Sequence, residues 1–157
     1  MPIYAFEKKE DLNKSFLEVC RSILPNKPVT ILIYANWCGH CVNLKPVWND
    51  LEAKYTRDPD VNMLKIESDA FSHLVKDHND FLFSKIFKHV NGYPYIANVK
   101  NTSIGNKELN FDVTEFEDER IKDKLDKFIK DGHKKHKFDK SKETKKTKKT
   151  KKIPKQK

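Results

Sequence analysis

This chain has little of what usually staples or loosens a fold. It contains three cysteines, four glycines and two methionines. Three cysteines cannot build the disulfide framework of a small secreted scaffold. Four glycines leave each one a local task in a turn or cap. No apolar run approaches the ~20 residues that a membrane-spanning helix needs. The first residues, Met1 to Glu7, lack the apolar stretch of a secretory signal. The last, Ile153 to Lys157, are not a retention signal. The expectation is therefore the cytoplasm, or a cytoplasmic site of viral assembly, over the endoplasmic reticulum lumen. Arginine is scarce as well: twenty-nine of the thirty-two basic residues are lysine.

At 157 residues the chain supports one domain with a real core, not two. Its charge is unevenly placed. Residues 134–157 hold thirteen lysines against Asp139 and Glu143, which exceeds the +9 of the whole chain. The remainder is thus mildly acidic. From Thr144 to Lys152 the tail repeats Thr-Lys-Lys. Such a segment repels itself and has almost nothing to bury, so 133–157 is expected to be a disordered basic tail after a domain at 1–132. With Phe138 as its one aromatic residue and no arginine, the tail suits non-specific attraction to a polyanion, nucleic acid or an acidic surface, and not base readout.

The chemistry concentrates in Trp37-Cys38-Gly39-His40-Cys41. Two cysteines at this spacing can close a small disulfide ring and reopen it. Before them runs Val29 to Ala35, almost continuously apolar and rich in β-branched residues, the pattern of a buried strand. After them Leu44, Val47, Trp48 and Leu51 recur at helical spacing. The pair therefore lies at a strand-to-helix junction with Cys38 at the helix N-terminus. Unpaired N–H groups and the positive end of the helix dipole favour a thiolate there. Half a zinc site is the competing reading of such a pair. Zinc takes about four ligands in a closed structural site. The only further cysteine is Cys20, which falls on the apolar face of the first predicted helix as an inert thiol. His73, His78 and His89 match no zinc spacing and read as solvated surface. Redox chemistry is favoured, with no metal and no cofactor.

Tyr34-Ala35-Asn36-Trp37-Cys38-Gly39-His40-Cys41, with Leu44, Pro46 and Trp48, resembles the thioredoxin superfamily, in its protein disulfide isomerase-like branch. Pro46 matches the proline five residues after the second cysteine. Asn91-Gly92-Tyr93-Pro94-Tyr95-Ile96 resembles the segment whose cis-proline faces the disulfide, which makes Pro94 the natural cis position. The resemblance spans about residues 1–132. It implies an α/β thioredoxin fold: a central mixed sheet flanked by helices. It also implies a thiol–disulfide oxidoreductase acting on protein cysteines. Cys38 would be the exposed nucleophile and Cys41 the deeper, resolving thiol. His40, when protonated, would stabilise the Cys38 thiolate. Trp37, Tyr93 and Pro94 would form the substrate edge. The alternative is a redox-weak binding module tethered by its basic tail.

One departure stands out. Six residues before the first cysteine the family buries an acid that moves a proton for the second cysteine; here that residue is Leu32. Lys65 matches the lysine that neighbours the acid and is expected to lie under the site without its usual partner. Glu67 is a weak substitute.

The remaining elements read as follows. Strands are expected at 2–6, 29–35 and 61–66, then a hairpin of 95–100 and 108–113 with Gly105 in its turn. Helices are expected at 11–24, 42–55, 71–74, 81–90 and from about 114 to 131. Thr114 and Glu117 form a capping box for the last helix, which buries Phe116, Ile121, Leu125 and Phe128, and Gly132 caps its end.

Overall fold

The computed structural model of the protein describes residues 3–12, 22–77, 86–88, 90–102 and 110–134. Residues 135–157 of the expected tail, the Gly105 turn, most of the first helix with Cys20, and His78 and His89 lie outside the described residues.

The apolar stretch Val29–Tyr34 forms β2, buried along nearly its whole length. A strand so apolar on both faces belongs in the middle of a sheet covered on both sides. β1 (Ile3–Phe6), β3 (Met63–Glu67), β4 (Tyr95–Asn101) and β5 (Phe111–Glu115) complete it. The order is β1-β3-β2-β4-β5. β1 and β2 flank β3 in parallel, and β4 and β5 run antiparallel on the other side. Three α-helices are present among the described residues: α1 (Gly39–Tyr55), α2 (Ser68–Asp77) and α3 (Lys122–Gly132). This is the thioredoxin fold.

Period-two alternation sorts the strand residues onto two faces. Ile31, Ile33, Leu64, Ile66 and Ala97 pack with Phe71 and Leu74 of α2. Leu32, Met63 and Ile96 pack with Leu44, Trp48 and Leu51 of α1 and with Leu125 and Ile129 of α3. The hydroxyl of Tyr55 on α1 donates to Asp126 on α3, and Lys54 pairs with the same carboxylate at 2.6 Å.

The last helix departs from expectation at both ends. Thr114 lies in β5, paired with Asn98, and α3 begins at Lys122 after Ile121, whose side chain makes no cap. Sheet pairing claims the would-be capping box, and the helix starts seven residues later than it suggested. Ile121 is 47% exposed and not part of the core. The helix then runs through Gly132, and His133 follows as its C-cap. Gly132 is needed for space: a Cβ there would come within 2.3 Å of Asn98 Cγ. Asn98 cannot swing away cheaply, because its amide donates to the Phe128 carbonyl at 2.8 Å and its oxygen accepts from Thr30 at 2.5 Å.

His133, which the sequence reading assigns to the tail, is buried. Its Nε2 accepts from the Asn62 N–H at 3.1 Å and its Nδ1 lies 2.9 Å from the Ile129 carbonyl.

Candidate functional site

β2 delivers the chain to the site and α1 receives it. Cys38 is the N-cap of α1, and its sulfur accepts the Cys41 N–H at 3.3 Å. A helix leaves its first N–H groups without carbonyl partners, so a thiolate at the cap takes up a bond the helix cannot supply itself. One turn on, the Cys41 sulfur accepts from the Ala35 N–H at 3.5 Å. Both are free thiols. Pro46 sits inside α1 as expected.

The environment separates the two thiols. Burial pushes Cys38 up. The hydrogen bonds it receives from the Cys41 thiol and from the N–H groups of Cys41 and His40, together with the Arg120 charge, outweigh that and hold it below an ordinary thiol. Burial likewise raises Cys41, and Cys38 raises it further as the acceptor of the Cys41 S–H and as a neighbouring charge, to about 11. The expected contrast in exposure is slight: the two residues are 8% and 6% exposed, with Tyr93 packed against both. Hydrogen bonding, not exposure, is what distinguishes the two thiols.

The Tyr93–Pro94 peptide bond is cis. The Tyr93 carbonyl stands 3.6 Å from the Cys38 sulfur. Trp37 is 75% exposed, and its ring meets Tyr93 edge-on at 5.9 Å. Trp37, Tyr93 and Pro94 thus share one rim of the site with the cysteines. His40 is exposed, and its contribution to Cys38 is its backbone N–H.

Arg120 is a charge near the pair that the sequence reading misses. It lies in the loop between β5 and α3, and its charge favours both thiolates. With a helix expected from Thr114, Arg120 would have been one more exposed helical residue. Only the late helix start leaves it in a loop beside the pair.

Leu32 is buried against Leu44 and Trp48 at the position of the family's acid. It faces Lys65 in the β2–β3 register. Lacking the family's acid, Lys65 pairs instead with Glu52 of α1, its Nζ 3.3 Å from the carboxylate. Glu67 is buried and occupied, accepting from Asn36 N–H at 3.3 Å, Ser68 Oγ at 2.9 Å and Asp69 N–H at 2.7 Å. No cluster of His, Cys, Asp and Glu able to hold a metal ion occurs among the described residues. None of their helices is long and apolar enough to cross a membrane.

Comparison with known proteins places this geometry. The chain is 42% identical over 45 residues to protein disulfide-isomerase erp38 of Neurospora crassa, covering 29% of this chain and 12% of that protein. It is 33% identical over 96 residues to protein disulfide-isomerase TMX3 of Mus musculus, covering 58% and 17%. The chain therefore spans only a small part of the length of such curated relatives. The first thioredoxin domain of mouse protein disulfide-isomerase A4 has the same fold, with a TM-score of 0.54 and 22% identity over 80% of this chain and 75% of that one. The thioredoxin family profile matches residues 8–131, from the end of β1 nearly to the end of α3. Both sides of the cysteine junction and the cis-proline loop fall inside that match, and the chain belongs to the thioredoxin family.

Proposed function

We propose that the chain catalyses thiol–disulfide exchange on protein cysteines by cycling Cys38 and Cys41 between dithiol and disulfide, in the manner of a protein disulfide isomerase domain. The observation that carries this reading is the separation of the two thiols, one held below the ordinary range and the other raised to about 11. In the reducing direction the Cys38 thiolate attacks a substrate disulfide. One substrate sulfur leaves as thiolate and the other stays bonded to Cys38. Cys41, once deprotonated, attacks the Cys38 sulfur, closes the Cys38–Cys41 disulfide and expels the second substrate thiolate. The oxidising direction is the reverse. Trp37, Tyr93 and Pro94 offer the edge along which an extended peptide would lie. The test is turbidimetric reduction of insulin with dithiothreitol as electron source. Intact protein should accelerate it, and Cys38→Ser should match the uncatalysed rate. Equal rates for the two proteins would leave a redox-silent module as the better description.

The lysine-rich residues 134–157 add a second partner class, a non-specific polyanion. A chain ended after Lys134 is expected to fold and exchange normally but to lose most binding to DNA or anionic vesicles. Binding by the intact chain should fall steeply with salt, because each neutralised phosphate releases counterion. Affinity that survives truncation and high salt would place the binding surface on the folded domain. Ending the chain after Gly132 should also cost about 1–3 kcal/mol in urea denaturation, the usual penalty for a buried donor left unpaired. That donor is the Asn62 N–H, which His133 accepts.

A further inference from the structure

A cavity of about 160 Å³ lies behind the cysteine pair. Leu32, Leu44 and Trp48 form its apolar wall, and Cys41 borders it. It has room for several waters, each needing on the order of 10–15 Å³ of such space. Trp48 is buried and its Nε1 has no protein acceptor. Glu7 is the only carboxylate among its lining residues.

The sheet explains how Glu7 comes to be there. Phe6 is paired with Ile66, and Tyr34 with Glu67, so the next residue after β1 falls on the Tyr34–Glu67 rung. Period two then puts Glu7 on the α1 face with Ala5. Burial, and after it the charge of Glu7, raise the Tyr34 hydroxyl above the ordinary phenol range, which sets the two side chains near each other. Tyr34 in turn packs against the cluster of Ala35, Cys38 and Cys41. Glu7 is exposed to bulk solvent.

We propose that Glu7, together with the Tyr34 hydroxyl, moves the proton to and from Cys41 through this cavity, in place of the acid that Leu32 replaces. The inference rests on the exchange reading above. In the resolving step the Cys41 proton passes by cavity water to the Glu7 carboxylate and on to solvent. The freed electron pair on Cys41 sulfur forms the bond to Cys38 sulfur, and the Cys38–substrate bond breaks with its pair leaving on the substrate thiolate. In the opposite direction Glu7 returns a proton as Cys41 leaves as thiolate. Glu7 is a positioning residue, since it acts on the reacting sulfur through cavity water and not by contact.

The other groups near this path have different duties. Arg120 favours the thiolate of either cysteine. Glu67 is held by three donors, and Glu52 is paired with Lys65. Lys45 and Lys65 line the cavity but are cations and cannot accept the proton in that form.

Ellman's reagent in stopped flow, applied to the reduced protein in a Cys20→Ser background, separates the steps. A first release of chromophore, dependent on reagent concentration, reports Cys38 attack. A second, independent of concentration, reports Cys41 displacing the chromophore from Cys38. At neutral pH, Glu7→Gln should slow the second phase at least about tenfold, within the usual reach of general acid–base help, and leave the first unchanged. The deficit should vanish at alkaline pH, where hydroxide deprotonates Cys41 unaided. Tyr34→Phe should give a smaller loss with the same pH trend, and Glu10→Gln none. An unchanged second phase in Glu7→Gln overturns the inference, as does an equal slowing of both phases. Absence of any second phase in the parent protein would instead refute the exchange reading itself.

Discussion

Iodoacetamide added to the reduced protein at mildly acidic pH is expected to label Cys38 well before Cys41. The thiolate is the reacting species, and the two residues lie on opposite sides of an ordinary thiol. Cys38 is lowered because bonds from Cys41 and from the His40 N–H outweigh its burial. Its thiolate therefore persists as pH falls, and is lost only when pH drops through its depressed pKa. Cys41, raised to about 11 chiefly by burial, has a thiolate fraction of about one in ten thousand at pH 7. Its labelling should grow as pH rises towards that value. Peptide mapping after a short pulse at several pH values reads both curves. Preferential labelling of Cys41 would reverse the assignment of roles. The serine variants should separate accordingly. Cys38→Ser should lose exchange altogether. Cys41→Ser should still attack but should stall, leaving mixed disulfides visible on non-reducing gels. Serine at either position should be tolerated by the fold, since the two sulfurs accept only a few hydrogen bonds and no disulfide is removed.

Much of this site is legible in the chain because it is local. The switch from a continuous apolar run at Val29–Tyr34 to helical spacing after Cys41 fixes the junction, and a junction fixes which cysteine caps the helix. Pro94 is readable because cis bonds are nearly confined to X–Pro. The misreadings all involve residues distant in sequence. Thr114 and Glu117 carry a sound capping signature, but pairing of β5 with β4 takes precedence over it. Gly132 looks like a left-handed helix stop and is instead kept small by Asn98, thirty-four residues earlier in the chain. Lys65 finds Glu52 only because α1 crosses over β3. Arg120 and Glu7 carry no local signal. One reaches the pair through a loop whose length was hidden by the false capping box, the other through a strand register.

Leu32→Glu should be the variant that most increases the rate. Leu32 borders the cavity and faces Lys65 across β2–β3, so a carboxylate at this position would stand between Cys41 and a cation. General acid–base help is typically worth about 10²–10⁴-fold. If Glu7 already supplies part of it, the gain in Cys41 resolution near neutral pH should fall at or below the lower end, about 10–100-fold. The cost is structural. Leu32 is 4% exposed and packs with Leu44, Trp48 and Ile96. Replacing it forfeits that contact and buries a charge, which Lys65 offsets only by loosening from Glu52. A loss of about 2–4 kcal/mol in chemical denaturation is expected, in the range of large core truncations and imperfectly paired buried charges. The double variant decides between routes. With Glu at position 32, adding Glu7→Gln should cost little, because the proton has a shorter path; in the parent it should cost the full deficit. Two sites serving one proton are coupled and should depart from additivity in that direction. Additive losses would mean that Glu7 and position 32 act on different steps. An unchanged rate in a folded Leu32→Glu protein would mean that proton removal from Cys41 does not limit resolution at all.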